Sequence, residues 1–142
     1  MNNKGFTLVE LLAVITILSI LMLIAVPNIV GAVKRSRDKT FVEDAKKMIS
    51  MAQYYQAKNT TKTGKFSLSQ LDDSREIVNG PNNGLYDRDN SYVNITNSNG
   101  YVYTVCLQEE KSGKWYYINN KTEDKIYDSL SVVESGLSQV CQ

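Results

Sequence analysis

The sequence predicts an α+β fold: one long N-terminal helix, kinked part-way, whose second half packs on a small antiparallel sheet of three to four strands. Three observations lead there. An apolar run opens at Phe6 and stops at Pro27. Beyond it, apolar residues recur at spacings of four and three from Phe41 to Tyr55, which is the period of a helix with one buried face. From Tyr92 onward the period changes to two and the runs become rich in Tyr, Val, Ile and Thr, which is the pattern of half-buried strands.

Composition narrows the function before any motif is read. The 142 residues carry 16 basic and 15 acidic side chains for a net charge of +1, spread along the chain with no basic or acidic tail, so nucleic acid is not indicated as a specific partner. His is absent, which removes the commonest general base and the commonest metal ligand. Neither a nucleophile with its base nor a metal cluster is visible, so no catalytic residue, cofactor or metal is expected.

Residues 1–5 form a short leader with one charge, Lys4. A secretory signal has an apolar core of 7 to 15 residues and a small-residue cleavage site after it. Here the apolar run is too long and no such site follows, so the natural boundary lies before it, between Gly5 and Phe6. Residues 6–29 read as a membrane span. Phe6 to Val26 is 21 residues, about 31 Å as a helix, against a hydrocarbon core of roughly 30 Å. Leu11 to Val26 is free of charge, yet Glu10 stands near the start of the run. An acid inside a spanning helix costs about 2.5 to 3.5 kcal/mol on insertion scales and calls for a partner.

Pro27 removes a ladder hydrogen bond and Gly31 adds a second weak point, which predicts the kink. Residues 30–58 then form the amphipathic half of the same helix, with Phe41, Ala45, Met48, Ala52 and Tyr55 on one face and Val42 and Ile49 on its flank. Residues 59–91 read mostly as loop. Within them Ser67-Leu68-Ser69-Gln70 has the spacing of a capping box, and Asn79-Gly80-Pro81-Asn82-Asn83-Gly84 is the strongest breaker.

Residues 92–142 form the sheet and the C-terminal region. Strands are expected at Tyr92 to Thr96, Tyr101 to Gln108, Trp115 to Asn119 and Lys125 to Asp128, with Tyr101, Tyr103, Val105 and Leu107 on one face of the second. A further cap is expected at Ser131 to Glu134. Cys106 and Cys141 make an even count behind a membrane segment, which fits a disulfide in an oxidising compartment. Two buried thiols in a cytosolic domain is the competing reading. Joined, they close a loop of about 36 residues, which the chain-entropy model values at about 3.8 kcal/mol.

Lys4-Gly5-Phe6-Thr7-Leu8-Val9-Glu10 resembles the cleavage and assembly motif of type IV prepilins, a class III signal peptide. The short leader, the apolar helix, Pro27 and the late Cys141 extend the similarity in outline along the chain. The resemblance implies a lollipop-shaped subunit cut between Gly5 and Phe6 by a prepilin peptidase, which then N-methylates Phe6. It implies that Glu10 meets the new amine of Phe6 on a neighbouring subunit. It also implies a precursor in the cytoplasmic membrane, and a platform protein and ATPase that move the subunit into a helical fibre for adhesion, motility or biofilm. The fibre is a homopolymer, with or without minor pilins. A secretion or competence pseudopilin, and a scarce minor pilin or tip adhesin, are the alternatives.

One feature runs against the implied topology. Lys34, Arg35, Arg37 and Lys39 follow the span while only Lys4 precedes it, which by the positive-inside rule would leave the C-terminal domain in the cytoplasm. The placement of the leader at a cytoplasmic peptidase and the cysteine pair favour the outside.

Weaker motifs have duller readings. Asp87-Arg88-Asp89-Asn90-Ser91 resembles the start of a calcium loop but has Tyr92 where Gly is needed and Ser98 where Glu is needed, so a solvated turn is expected. The three Asn-x-Thr triplets at Asn59, Asn94 and Asn120 are close to chance in this composition. Tyr101, Tyr103, Trp115, Tyr116 and Tyr117 are expected to serve core and cross-strand pairing rather than a ligand.

Overall fold

The computed structural model describes residues 5–59, 62–126, 132–136 and 140–141. Lys4, Tyr127, Asp128 and Ser131, on which expectations were placed, lie outside the described residues. The chain divides into two units, one ending at Ser36 and one beginning at Arg37.

In the first unit the polypeptide enters helix α1, Leu8–Lys58, at its first turn. Up to Val33 the large apolar side chains, Leu11, Ile15, Leu18, Met22 and Ile29 among them, are exposed on every side. A helix apolar all round belongs in a lipid or protein surround. Its polar residues look after themselves: Thr16 Oγ1 donates to the Ala13 carbonyl at 2.8 Å, Ser19 Oγ to the Ile15 carbonyl at 2.7 Å, and Asn28 Nδ2 to the Ile24 carbonyl at 3.2 Å. Such back-bonding lets hydroxyls and amides sit in apolar surroundings without an outside partner. Pro27 and Gly31 both lie within α1, which runs on through them.

In the second unit the C-terminal half of α1 buries Phe41, Val42, Ala45, Met48, Ile49 and Ala52, the stripe that the spacing predicts. They form one core with Leu68, Ile77, Val93, Ile95, Val105, Leu107, Ile118 and Ile126. Each large side chain so buried contributes roughly 1.5 to 3 kcal/mol. Tyr55, at the end of the stripe, is half-buried and packs on Phe66, ring centroids 5.1 Å apart.

The sheet has six strands, which corrects the expected three to four. They are β1 (Gly64–Ser67), β2 (Leu85–Tyr86), β3 (Tyr92–Asn97), β4 (Tyr101–Lys111), β5 (Lys114–Thr122) and β6 (Val133–Ser135). All pairs are antiparallel in the order β1-β3-β4-β5-β6, and β2 pairs with β4. Three of the strands were not expected: β6 lies in the C-terminal region, and β1 and β2 lie in the stretch expected to be mostly loop, where at four and two residues they are too short to show a period. β1 is held by its pairing with β3, from Gly64 opposite Ile95 to Ser67 opposite Tyr92.

A second correction concerns Lys125 to Asp128. Lys125 lies in a single 3₁₀ turn, Glu123–Lys125, and Ile126 follows it buried in the core. The strand on that side of β5 is β6, whose Glu134 pairs with Tyr116, so Glu134 is a strand residue and not the end of a helix cap. A third concerns Glu109 to Lys114. β4 and β5 run straight through this charged stretch and turn at Ser112-Gly113, both with positive φ (52° and 78°). That is a two-residue hairpin of the kind whose twist matches the strands. The register shifts between Val105 and Leu107, where β5 has Asn120 at φ 46°, an irregularity of the β-bulge type.

The short helix α2, Leu68–Leu71, starts where the capping spacing predicts, with the Ser67 amide donating to Gln70 Oε1 at 3.0 Å. On the other face of β4, Cys106 and Gln108 meet Cys141 and Val140. Cys106 is bonded to Cys141 with Cα atoms 5.7 Å apart, and the pair clusters with Tyr92 away from the main core.

Candidate functional site

Gly5 and Phe6 precede α1, and Phe6 is 88% exposed. A Cβ on Gly5 would meet nothing within 4 Å, so this chain's own packing does not demand glycine there. Glu10 falls in the first turn. Its carboxylate accepts from the Thr7 amide at 2.8 Å and the Thr7 hydroxyl at 2.9 Å, while the Glu10 amide donates to Thr7 Oγ1 at 3.3 Å. Thr7 and Glu10 therefore close a reciprocal cap on the helix start, which satisfies amides that otherwise have no partner. The negative charge also sits at the favourable end of the helix dipole. Glu10 forms no ion pair among the described residues.

The role of Thr7 went unread in the sequence, although Thr-x-x-Glu ahead of an apolar run is itself a capping signal.

The second unit carries a different kind of polar construction, built on β4. Glu109 is fully buried and accepts from the Asn82 amide at 3.0 Å, Asn82 Nδ2 at 2.9 Å and the Gly84 amide at 2.8 Å. A Cβ on either Gly80 or Gly84 would overlap its side chain. Those two glycines are thus close-approach positions as well as turn formers. Gln108, on the opposite face, joins three segments. Its Nε2 donates to Asp87 Oδ2 at 2.8 Å, and its Oε1 accepts from the amides of Val140 and Cys141 at 3.0 and 2.9 Å.

The Asp87 stretch is a turn: Asp87 Oδ1 accepts from the Asn90 amide at 3.1 Å and Asp87 O from the Ser91 amide at 2.8 Å. Among the described residues no group of acids, cysteines or histidines is arranged to hold a metal ion. Its neighbour Arg88 reaches the other way, to Asp72 Oδ2 at 2.7 Å, Ile77 O at 2.8 Å and Asp72 O at 2.6 Å. Burial pushes the Asp72 carboxyl up, but Arg88 and the amides of Ile77 and Glu76 outweigh it and hold the carboxyl below its ordinary value. On the helix side, Tyr86 donates to Asp44 Oδ2 at 2.8 Å and packs edge-on against Phe41. Burial, more than the hydroxyl that opposes it, raises the Asp44 carboxyl. Burial and the charge of Asp44 together keep Tyr86 protonated.

In the aromatic group Tyr103 and Tyr116 pack against the core, Tyr101 is exposed, and the Tyr103 hydroxyl approaches Gln56 at 3.5 Å. Tyr101 and Tyr103 lie on β4 and Tyr116 on β5.

The N-terminal helix is thus apolar and exposed, capped at its start by Thr7 and Glu10 and preceded by Gly5 and Phe6. Residues 1–26 match the prokaryotic N-terminal methylation motif. The chain is 39% identical over 62 residues to the type IV wide pilus major component PilA4 of Thermus thermophilus, covering 44% of this chain and 47% of that one. It is 66% identical over 29 residues to the competence protein ComGC of Bacillus subtilis, covering 20% and 30%. The chain thus spans less than half the length of the curated relatives it matches. No solved structure matches it. The likeness is confined to part of the chain: the N-terminal methylation motif over residues 1–26 and partial matches to a pilus component and a competence protein.

Proposed function

We propose that this chain is the structural subunit of a type IV pilus, cut between Gly5 and Phe6, N-methylated at Phe6, and polymerised through the first half of α1 into a surface fibre used for adhesion, motility or biofilm. The observation that carries the reading is Glu10: a carboxylate in an exposed apolar helix whose hydrogen bonds, among the described residues, come from Thr7. Two bonds from a neutral residue leave its charge uncompensated. A buried charge is tolerable when a partner charge is supplied, and the amine of Phe6 on a neighbouring copy exists only after the leader is removed.

The open space around Gly5 supports recognition by an enzyme, since folding does not need glycine there. Gly5→Val accordingly leaves full-length precursor in the membrane. A Cβ on Gly31 also meets nothing within 4 Å, which with the missing Pro27 amide supports a role for both in bending α1 during packing. The precursor is held in the cytoplasmic membrane with its sheet domain outside, where the Cys106–Cys141 bond is stable. A platform protein and an ATPase extract it.

A second reading, a competence-type pseudopilin, is favoured by the higher identity of the short N-terminal match to the competence protein. Mass spectrometry of sheared surface filaments tests both. A dominant species beginning at methylated Phe6, with the disulfide intact, supports the pilus subunit. Its absence from filaments, with processed protein left at the cell envelope, supports the pseudopilin. A filament species that begins at Met1 overturns the processing scheme.

A further inference from the structure

The sequence contains three Asn-Gly pairs, Asn79-Gly80, Asn83-Gly84 and Asn99-Gly100. Glycine after asparagine is the sequence that most readily deamidates, because without a Cβ the following amide nitrogen can swing onto the asparagine side chain. By sequence the three are equivalent. The structure makes them unequal.

Gly80 and Gly84 are both buried against Glu109. The Gly84 amide donates to Glu109 Oε1 at 2.8 Å, and the Gly80 amide donates to the Gly84 carbonyl at 3.0 Å. Each nitrogen that would have to attack is tied through its own hydrogen and packed against a side chain that leaves no room for rotation. Gly100 differs on each count. It lies at the turn between β3 and β4, where Asn97, Ser98, Asn99 and Gly100 are all exposed. Its amide has one long contact, to Asn97 Oδ1 at 3.4 Å, and open space surrounds its α-carbon. Asn99 already holds a left-handed φ of 115°, a conformation that costs a non-glycine residue about 1 to 3 kcal/mol.

We propose that Asn99 is a self-modification site, where the chain converts asparagine to aspartate and isoaspartate without an enzyme while Asn79 and Asn83 stay protected. The Gly100 nitrogen gives up its proton and bonds to Asn99 Cγ. The bond from Cγ to Nδ2 breaks, and that nitrogen takes up a proton and leaves as ammonia. The resulting succinimide opens by addition of one water at either carbonyl. Nothing is oxidised or reduced. Each event adds one negative charge to the β3–β4 tip, and the isoaspartate product lengthens the backbone there.

The test is peptide mapping of the full-length, detergent-solubilised, disulfide-intact protein held at mildly alkaline pH, beside the same protein reduced and denatured. In the folded sample Asn99 is converted first. Asn79 and Asn83 lag by on the order of tenfold or more, the suppression that a local opening cost of about 1.4 kcal/mol produces. In the denatured sample the three react at comparable rates. Asn99→Gln removes the early acidic species from isoelectric focusing while the rest of the map is unchanged. Equal or faster conversion at Asn79 or Asn83 in the folded protein overturns the proposal, as does an Asn99 that persists when folded but reacts when denatured.

Discussion

The two units meet the same requirement, to keep polar groups satisfied beside apolar ones, in different ways. Before Ser36 the partners of Glu10, Thr16, Ser19 and Asn28 all come from within three or four residues along the helix, Thr7 for Glu10 and main-chain carbonyls for the other three. After Arg37 local bonds such as that from Ser50 Oγ to the Lys46 carbonyl continue, and long-range ones are added: Asp44 is served by Tyr86, 42 residues away, and Glu109 by Asn82 and Gly84. A helix that is locally self-sufficient can exchange one apolar surround for another without breaking a bond. A domain held by distant contacts must fold once and stay folded. The first half is therefore suited to transfer, and the second to being carried.

The sharpest way to separate the two regions is Glu10→Ala. It is expected to abolish filaments in a shearing assay while leaving the thermal unfolding of the sheet domain unchanged; normal filament yield would remove the assembly role. In the carried domain, Phe41→Ala empties the centre of the core and is expected to cost about 3 to 5 kcal/mol, read from denaturant unfolding of the solubilised protein. A loss below about 1 kcal/mol would mean that α1 is not clamped to its sheet as its complete burial indicates. Replacing both cysteines with serine is expected to cost about 2 to 5 kcal/mol, with β6 and the chain end exchanging amide hydrogens before β3 and β4.

The smallest effect concerns pH. Asp72 is held below its ordinary value of 3.8, so its contribution is fully present above that value and is lost as pH falls through the lower folded one. Asp72→Asn is expected to destabilise at neutral pH and to flatten the acid limb of the stability curve. An unaltered acid limb would assign that limb to other carboxylates.

What was legible in the sequence follows the range of the interactions. The helix from Leu8 to Lys58, its buried stripe and the cap at Ser67 depend on residues three or four apart, and a single sequence displays those. The pairing of Cys106 with Cys141 could be expected because it offered one partner for each. β1 and β2 could not, because Gly64–Ser67 and Leu85–Tyr86 are strands only by virtue of the neighbours they pair with. Glu109, Glu110 and Lys111 read as loop because charge normally marks solvent. The donors that make a buried Glu109 acceptable come from about 25 residues upstream, and no local pattern announces them. Alternation puts Gln108 on the face opposite Leu107, but its link from the Asp87 turn to Val140 and Cys141 is beyond local pattern for the same reason.

β4 also bears on the order in which the domain can form. Its hairpins with β3 and β5 close over short stretches of chain and carry small loop-closure cost. The contacts that complete the domain, Tyr86 with Asp44 and Cys141 with Cys106, span 42 and 35 residues. The three-stranded centre can therefore assemble first, bringing Tyr92 opposite Cys106 before Cys141 arrives. Oxidation then acts on a thiol already held in register, so the covalent bond records a correct sheet instead of directing it.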